Sequence, residues 1–116
     1  MDWGTGVWHT VTPGGRLTTF GIAAADPHAH SATFHFSYPR VLLRLDVYNP
    51  TDHDITLTVH APEVQNVVFL LKPDSLQRLK TGWHNRASEV TFESDQLPAL
   101  RFDNIGYSLA LWTRIN

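Results

Sequence analysis

The sequence predicts an all-β domain, a two-sheet antiparallel β-sandwich with jelly-roll topology, and three observations predict it. First, segments of alternating apolar and polar residues recur along the chain, as in strands that bury one face. Second, clusters of Gly, Pro, Asn and Asp separate these segments at the short intervals typical of sandwiches. Third, no segment of the sequence has the spacing of an amphipathic helix.

The stretch 40–60 carries the clearest of these patterns. Apolar residues occupy one parity of its first half, while Arg44, Asp46 and Tyr48 occupy the other. A polar turn over 49–54, rich in residues that bond nearby backbone, then leads to a second alternating run. We therefore expect a β-hairpin with Arg44, Asp46 and Tyr48 on its wetter face.

The remaining strands are shorter and follow from the same alternation. Pro39 is expected to break the strand that precedes the hairpin, and Gly21 to mark a bulge. The apolar run VVFLL is typical of a buried strand. The further predicted strands span residues 7–11, 16–24, 33–38, 66–71, 76–80, 88–93, 100–107 and 109–115.

The apolar side chains of these strands should form a core between the two sheets. Full burial of one such side chain contributes roughly 1.5–3 kcal/mol to folding. The predicted core comprises Leu43, Leu45, Val47, Leu57, Val59, Val68, Leu70, Val90, Phe92, Leu100 and Phe102.

The length, charge and composition of the chain limit how many domains it can form and which partners it can bind. The 116 residues suit one domain, 1–116, with its own core. Nine Lys and Arg against eleven Asp and Glu give a formal net charge of −2, so neither nucleic acid nor a membrane is an expected partner. The lack of cysteine excludes disulfides, thiolate metal ligands and a cysteine nucleophile.

Several motifs between Phe36 and Tyr107 carry a family resemblance. In chain order they are FSYPRVLLRLDVYNP, ITLTV, VVFLL with its LKPDS turn, TGWHNRASEVTFES and LRFDNIGY. This series resembles the galactose-binding-like jelly-roll domains that serve as carbohydrate-binding modules of secreted microbial glycoside hydrolases. The resemblance implies a secreted, excised module that binds a polysaccharide or oligosaccharide, or that merely accompanies such an enzyme.

Sugar recognition requires aromatic faces for the C–H surfaces and planar polar groups for the hydroxyls. Trp83, His84 and Arg86 bring both kinds of group into one loop. Tyr48 and Trp112, on the parities assigned to the wetter faces of their strands, are further candidates for carbohydrate binding. The sequence leaves open the alternative that these tryptophans pack in the core.

Histidines and acids raise the question of a metal. His28 and His30, followed by His35, are similar to the paired ligands of cupins, but the cupin acid and the downstream motif are missing, so surface histidines are expected. Asp103 and Asn104 are weak candidates for a structural calcium. The favoured interpretation is that they bond backbone groups at a strand irregularity, with no cofactor.

The first hypothesis for function is a non-catalytic carbohydrate-binding module that tethers a partner enzyme to a polysaccharide. The alternative is a structural or interaction β-sandwich domain, accessory to a larger protein, that binds no sugar. A small cupin-type metalloenzyme is a third hypothesis. The sequence contains no nucleophile elbow and no recognisable carboxylate pair for glycoside hydrolysis, so we do not expect an enzyme.

Overall fold

A computed structural model of the chain describes residues 7–17, 21–62 and 64–108. Strands dominate these residues, with one short 3₁₀ turn at Leu97–Ala99 and no helix that could cross a membrane. The strands are β1 Trp8–Val11, β2 Gly21–Ala24, β3 Ser31–Asn49, β4 Ile55–His60, β5 Val67–Leu71, β6 Ser75–Lys80, β7 Ala87–Glu93 and β8 Arg101–Ser108.

The 19-residue strand β3 belongs to two sheets. Its first part, 31–40, pairs with β7, and its second part, 41–49, lies between β8 and β6. Sheet I therefore has the order β1-β2-β8-β3-β6, and sheet II the order β3-β7-β4-β5, with every pair antiparallel. This is the strand order of a jelly roll, so the predicted fold class is confirmed.

Pro39 does not break β3, contrary to the prediction. The register with β7 shifts between His35, opposite Glu89, and Arg40, opposite Ala87. The residues between them on β3 have no register partner on β7, so the missing N–H of Pro39 removes no bond from that ladder. The irregularity lies where the chain passes from sheet II to sheet I, as at the corners of other two-sheet proteins.

Aromatic rings join the two sheets. Phe92 of β7 stacks on Phe102 of β8, with 4.9 Å between ring centroids and 18° between planes. Trp8 of β1 meets Phe92 edge-on at 5.9 Å. Because β7 lies in sheet II and β1 and β8 lie in sheet I, these contacts cross the core. The predicted core residues that are buried are Leu45, Val47, Leu57, Val59, Val90, Phe92, Leu100 and Phe102.

Three predicted core residues are exposed instead. Val68 and Leu70 point outward from β5, where they pair with Thr58 and Thr56 of β4. The prediction that β5 is buried on both faces is wrong, because the outer face of sheet II is open: Thr56 of β4, beside Leu70 on that face, is exposed as well. Leu43 lies at a register shift between β3 and β8, which changes the inward–outward alternation there.

The segment before β2 also differs from the prediction. Only Gly21–Ala24 of the expected strand 16–24 is described as a strand. Gly14 and Leu17 instead close a turn through reciprocal backbone hydrogen bonds of 2.9 and 3.0 Å. Gly21 permits a close approach of strands, since a Cβ there would lie 2.8 Å from the Phe102 carbonyl oxygen. The predicted strand 109–115 lies outside the described residues.

Candidate functional site

The loop between β6 and β7, residues 81–86, is fixed by two of its own side chains. Thr81 donates from Oγ1 to the Leu42 carbonyl oxygen at 2.6 Å and accepts a bond from the Trp83 backbone N–H at 3.1 Å. The ring of Trp83 is buried, and its Nε1–H donates to the Gln65 carbonyl oxygen at 2.9 Å. Gly82 adopts φ +72°, a conformation that favours glycine. The loop therefore turns Trp83 inward.

A groove of about 470 Å³ lies between this loop and the segment that leads into β5. Its exposed polar side chains are Gln65 and Asn66 on one side and His84 and Asn85 on the other. Carboxamides each carry donors and acceptors in one plane, and an imidazole adds a further donor or acceptor. We call this the polar groove; buried Trp83 also lines it. Such a surface can bond several hydroxyl groups at once.

A second groove, of about 370 Å³, adjoins the same loop. Leu43 and Arg44 of β3 and Lys80 of β6 line it. It shares the loop residues Gly82, Trp83 and His84 with the polar groove. We call it the cationic groove. The two grooves therefore adjoin along one short stretch of chain, with exposed His84 common to both.

The structure brings only part of the predicted sugar site together. Trp83, His84 and Arg86 share the loop, and His84 and Arg86 are exposed. Trp83 is only 8% exposed, which supports the core interpretation that the sequence left open. Tyr48 lies elsewhere, opposite Arg101 of β8. Trp112 lies outside the described residues.

Tyr48 is 6% exposed, so the prediction of a solvent-facing ring is wrong. Its hydroxyl donates to Asp74 Oδ1 at 3.0 Å. The turn at Gly14–Leu17 covers it, because a Cβ on Gly15 would collide with the Tyr48 hydroxyl. Alternation along β3 places Tyr48 on the outer face, but a segment more than thirty residues earlier in the chain covers its ring there.

The weak calcium candidates bond to protein groups. Asp103 Oδ1 accepts the backbone N–H of Asn104 at 2.8 Å, and Asn104 has φ +49°. The Asn104 amide donates to Asp46 Oδ2 at 2.8 Å, and Arg78 Nε donates to Asp46 Oδ1 at 2.8 Å. The hydrogen bond from Arg78 is the main reason that the pKa of Asp46 is lowered. Asp103 thus bonds a backbone group, as the favoured interpretation expects, whereas the Asn104 side chain bonds a carboxylate instead.

The cupin-like histidines do not converge. His30 Nδ1 lies 4.0 Å from Asp95 Oδ1, while His35 Nδ1 lies 3.6 Å from Glu89 Oε2. His28 and His30 border a separate pocket of about 430 Å³ that Asp95 also lines. Within the described ranges no three His, Asp or Glu side chains are grouped so as to hold a metal ion. The expectation of no cofactor stays a prediction.

One exposed ring near the loop was missed by the sequence analysis. Tyr38 is 71% exposed, although the alternation grouped it with Phe34 and Phe36, which are buried. It lies two residues before Arg40, which pairs with Ala87 at the end of the loop. The Arg40 guanidinium carbon lies 5.7 Å from the Tyr38 ring centroid. The adjacent Pro39 is the sequence signal that the regular alternation ends there.

Comparisons with models of protein families, with curated proteins and with solved structures find no match for this chain.

Proposed function

We propose that the chain is a non-catalytic carbohydrate-binding module that tethers a partner enzyme to a polysaccharide, with the sugar in the polar groove. The observation that carries the proposal is the convergence of Gln65, Asn66, His84 and Asn85, all exposed, around one open groove. Planar polar groups of this kind suit sugar hydroxyls, and the groove volume is within the range of ligand sites.

The lining of the groove favours binding over hydrolysis. None of the described residues that line it is Asp or Glu, whereas most glycoside hydrolases use two carboxyl groups. Tyr38, whose ring Arg40 approaches on one face, leaves the rest of an exposed ring for a sugar to stack on, two residues from the Arg40–Ala87 pair at the end of the loop. In this proposal the partner is a polysaccharide or oligosaccharide outside the cell, the module accompanies a glycoside hydrolase, and neither nucleic acid nor membrane takes part.

The test is affinity electrophoresis of the purified chain against a panel of neutral and acidic soluble polysaccharides. We expect at least one polysaccharide to retard the chain, and Asn66→Ala, Asn85→Ala and His84→Ala each to reduce the retardation without lowering the melting temperature. His9→Ala is the matched control, because His9 is exposed on β1, outside the groove. Unchanged retardation of all three groove variants would exclude the polar groove as the site.

A structural or interaction domain without sugar binding is the second candidate. It is favoured by the burial of Tyr48 and Trp83, the two described aromatic residues first expected to contact sugar. It is also favoured by Val68 and Leu70, which expose apolar surface on the last strand of sheet II. Lack of retardation by every polysaccharide in the panel selects this candidate.

A further inference from the structure

Two cations face each other across neighbouring strands in the cationic groove. Arg44 of β3 is directly opposite Lys80 of β6 in the antiparallel ladder. Directly opposed residues have Cβ atoms about 4.5–5.5 Å apart, and like charges in this arrangement destabilise a sheet. Both side chains are exposed and both line the groove. The Arg44 side chain extends across Gly106 of β8, where a Cβ would lie 2.8 Å from Arg44 Nη1, so the groove has one cation on its β8 side and one on its β6 side.

The acids that face these strands are engaged by other groups. Asp46, two residues along β3 from Arg44, bonds to both Arg78 and Asn104. Asp103, opposite Asp46 on β8, accepts the Asn104 backbone N–H. Within the described part of the chain, neither Arg44 nor Lys80 has a carboxylate within salt-bridge distance. The pKa of Asp46 is lowered mainly by the Arg78 hydrogen bond and further by the charge of Arg44, which makes no salt bridge with it, so the Arg44 guanidinium remains able to bind an anion.

We propose that the cationic groove binds the carboxylate of a uronic acid residue, in the same glycan chain that occupies the polar groove. This inference rests on the proposed function. Arg binds a carboxylate through a planar fork of donors, and Lys adds a compact charge. Leu43, which is more than one-third exposed, offers apolar surface to the ring that carries the carboxylate. His84 lies between the two sugar positions.

Charge favours an acidic glycan over a nucleic acid as the ligand. Nucleic-acid binding depends on many phosphate contacts from clustered cations. This chain has a formal net charge of −2, and its cationic groove is lined by one Arg and one Lys beside Leu43, Gly82, Trp83 and His84. Two cations are enough to bind the carboxylate of one sugar residue in an acidic glycan, but are too few for the many phosphate contacts of a nucleic acid.

The experiment compares polygalacturonate and alginate with the same polymers after chemical reduction of their carboxyl groups to alcohols. We expect the chain to bind at least one acidic polymer about tenfold or more tightly than its reduced form. Arg44→Gln and Lys80→Gln should each weaken binding of the acidic polymer much more than binding of the reduced polymer, and so should abolish the preference. Lys72→Gln, at an exposed lysine in the β5–β6 turn, is the control and should keep the preference.

The outcomes separate this inference from the proposed function. Equal affinity for the acidic and reduced polymers overturns the uronate site and leaves carbohydrate binding intact. If no polymer binds, the proposed function fails. Free galacturonate is then titrated into the protein, and shifts of the Arg44 and Lys80 amide signals in NMR spectra show whether the cationic groove binds a carboxylate. Absence of those shifts overturns the inference. Duplex DNA binding that is lost in the same two variants would overturn the assignment to a sugar.

Discussion

The hydroxyl of Tyr48, in the second part of β3, donates a hydrogen bond to Asp74 Oδ1 in the β5–β6 turn, 3.0 Å away. Arg16 secures the same aspartate, since its Nε donates to the Asp74 carbonyl oxygen at 2.5 Å and its Nη2 lies 3.4 Å from Oδ2. Gly15 places its backbone against the Tyr48 hydroxyl. We call these four residues the Tyr48 clasp. It joins three distant segments of chain on the outside of sheet I.

Gly15→Ala should destabilise the fold by about 2–4 kcal/mol, measured by urea unfolding. The new Cβ collides with the Tyr48 hydroxyl, and the residue has φ +56°, so overpacking adds to the cost of a left-handed conformation. Gly82→Ala is the control, because Gly82 has φ +72° and no described residue has an atom within 4 Å of the new Cβ. Gly82→Ala should therefore reduce the free energy of unfolding by less than Gly15→Ala, because it incurs only the cost of the left-handed conformation.

Tyr48→Phe should partly rescue Gly15→Ala, because it removes the colliding oxygen while it keeps the ring. By itself Tyr48→Phe loses the hydrogen bond to Asp74 and should cost about 1 kcal/mol. The measurement is a double-mutant cycle of unfolding free energies. If Gly15→Ala costs the same in the wild-type protein and in the Tyr48→Phe variant, the predicted collision is not its cause.

Trp83→Ala should reduce the free energy of unfolding by about 3–5 kcal/mol, as for other buried aromatic residues. Trp83→Phe keeps a ring but loses the bond to the Gln65 carbonyl oxygen, so its cost should be smaller. Thermal unfolding followed by circular dichroism measures both. A melting temperature of Trp83→Ala within about 2 °C of the wild-type value would contradict the core assignment.

Asp46→Asn should destabilise the protein at neutral pH by about 1–2 kcal/mol, because the variant loses the charged bond with half-exposed Arg78. The pKa of Asp46 is lowered in the folded state from its ordinary 3.8. Its stabilising contribution is therefore complete above about pH 4 and is lost as pH falls through the folded pKa.

Urea unfolding of wild type and Asp46→Asn between pH 2 and pH 7 tests this dependence. The difference in stability between the two proteins should shrink below about pH 4. Asp54→Asn, at an exposed residue of the β3–β4 turn, is the control for the loss of one negative charge. A difference that stays constant down to the acid limit would show that the charge of Asp46 does not stabilise the fold.

Lys80→Gln should leave the unfolding free energy unchanged or raise it by about 0.2–1 kcal/mol, since it relieves repulsion from Arg44 across the β3–β6 ladder. Lys72 lies in the β5–β6 turn, and no described residue pairs opposite it in a ladder, so Lys72→Gln should give no gain. Both are measured by urea unfolding at low salt, and the difference between them should disappear at high salt. A clear loss of stability in Lys80→Gln would mean that Lys80 makes a stabilising contact.

The alternation of apolar and polar residues predicted most of the strands and much of the core. Inward-facing side chains such as Val47 and Phe92 recur at every second residue of a strand, so the sequence alone reveals them. The loop with His84 and Arg86 was also predicted, since turn residues there separate two alternating runs. The opposition of Arg44 and Lys80 was not predicted, because the pairing of β3 with β6 bridges two intervening strands.

The errors have physical causes outside the local pattern. Tyr48 was placed on the correct parity, but alternation gives no information about a distant turn that covers an outer face. Pro39 was expected to end a strand, yet a register shift accommodates its missing donor. Gln65 was predicted to lie in a connection and Asn66 to begin a strand. Both line the polar groove, where the Trp83 indole bonds the Gln65 carbonyl oxygen.

Strand β3 has a consequence for how the protein unfolds. Because one continuous backbone contributes to both sheets and bonds with β6, β7 and β8, neither sheet can separate without removing a member of the other. Amide hydrogen exchange should therefore find the slowest protons of both sheets opening together, with one common free energy, as a single cooperative unit.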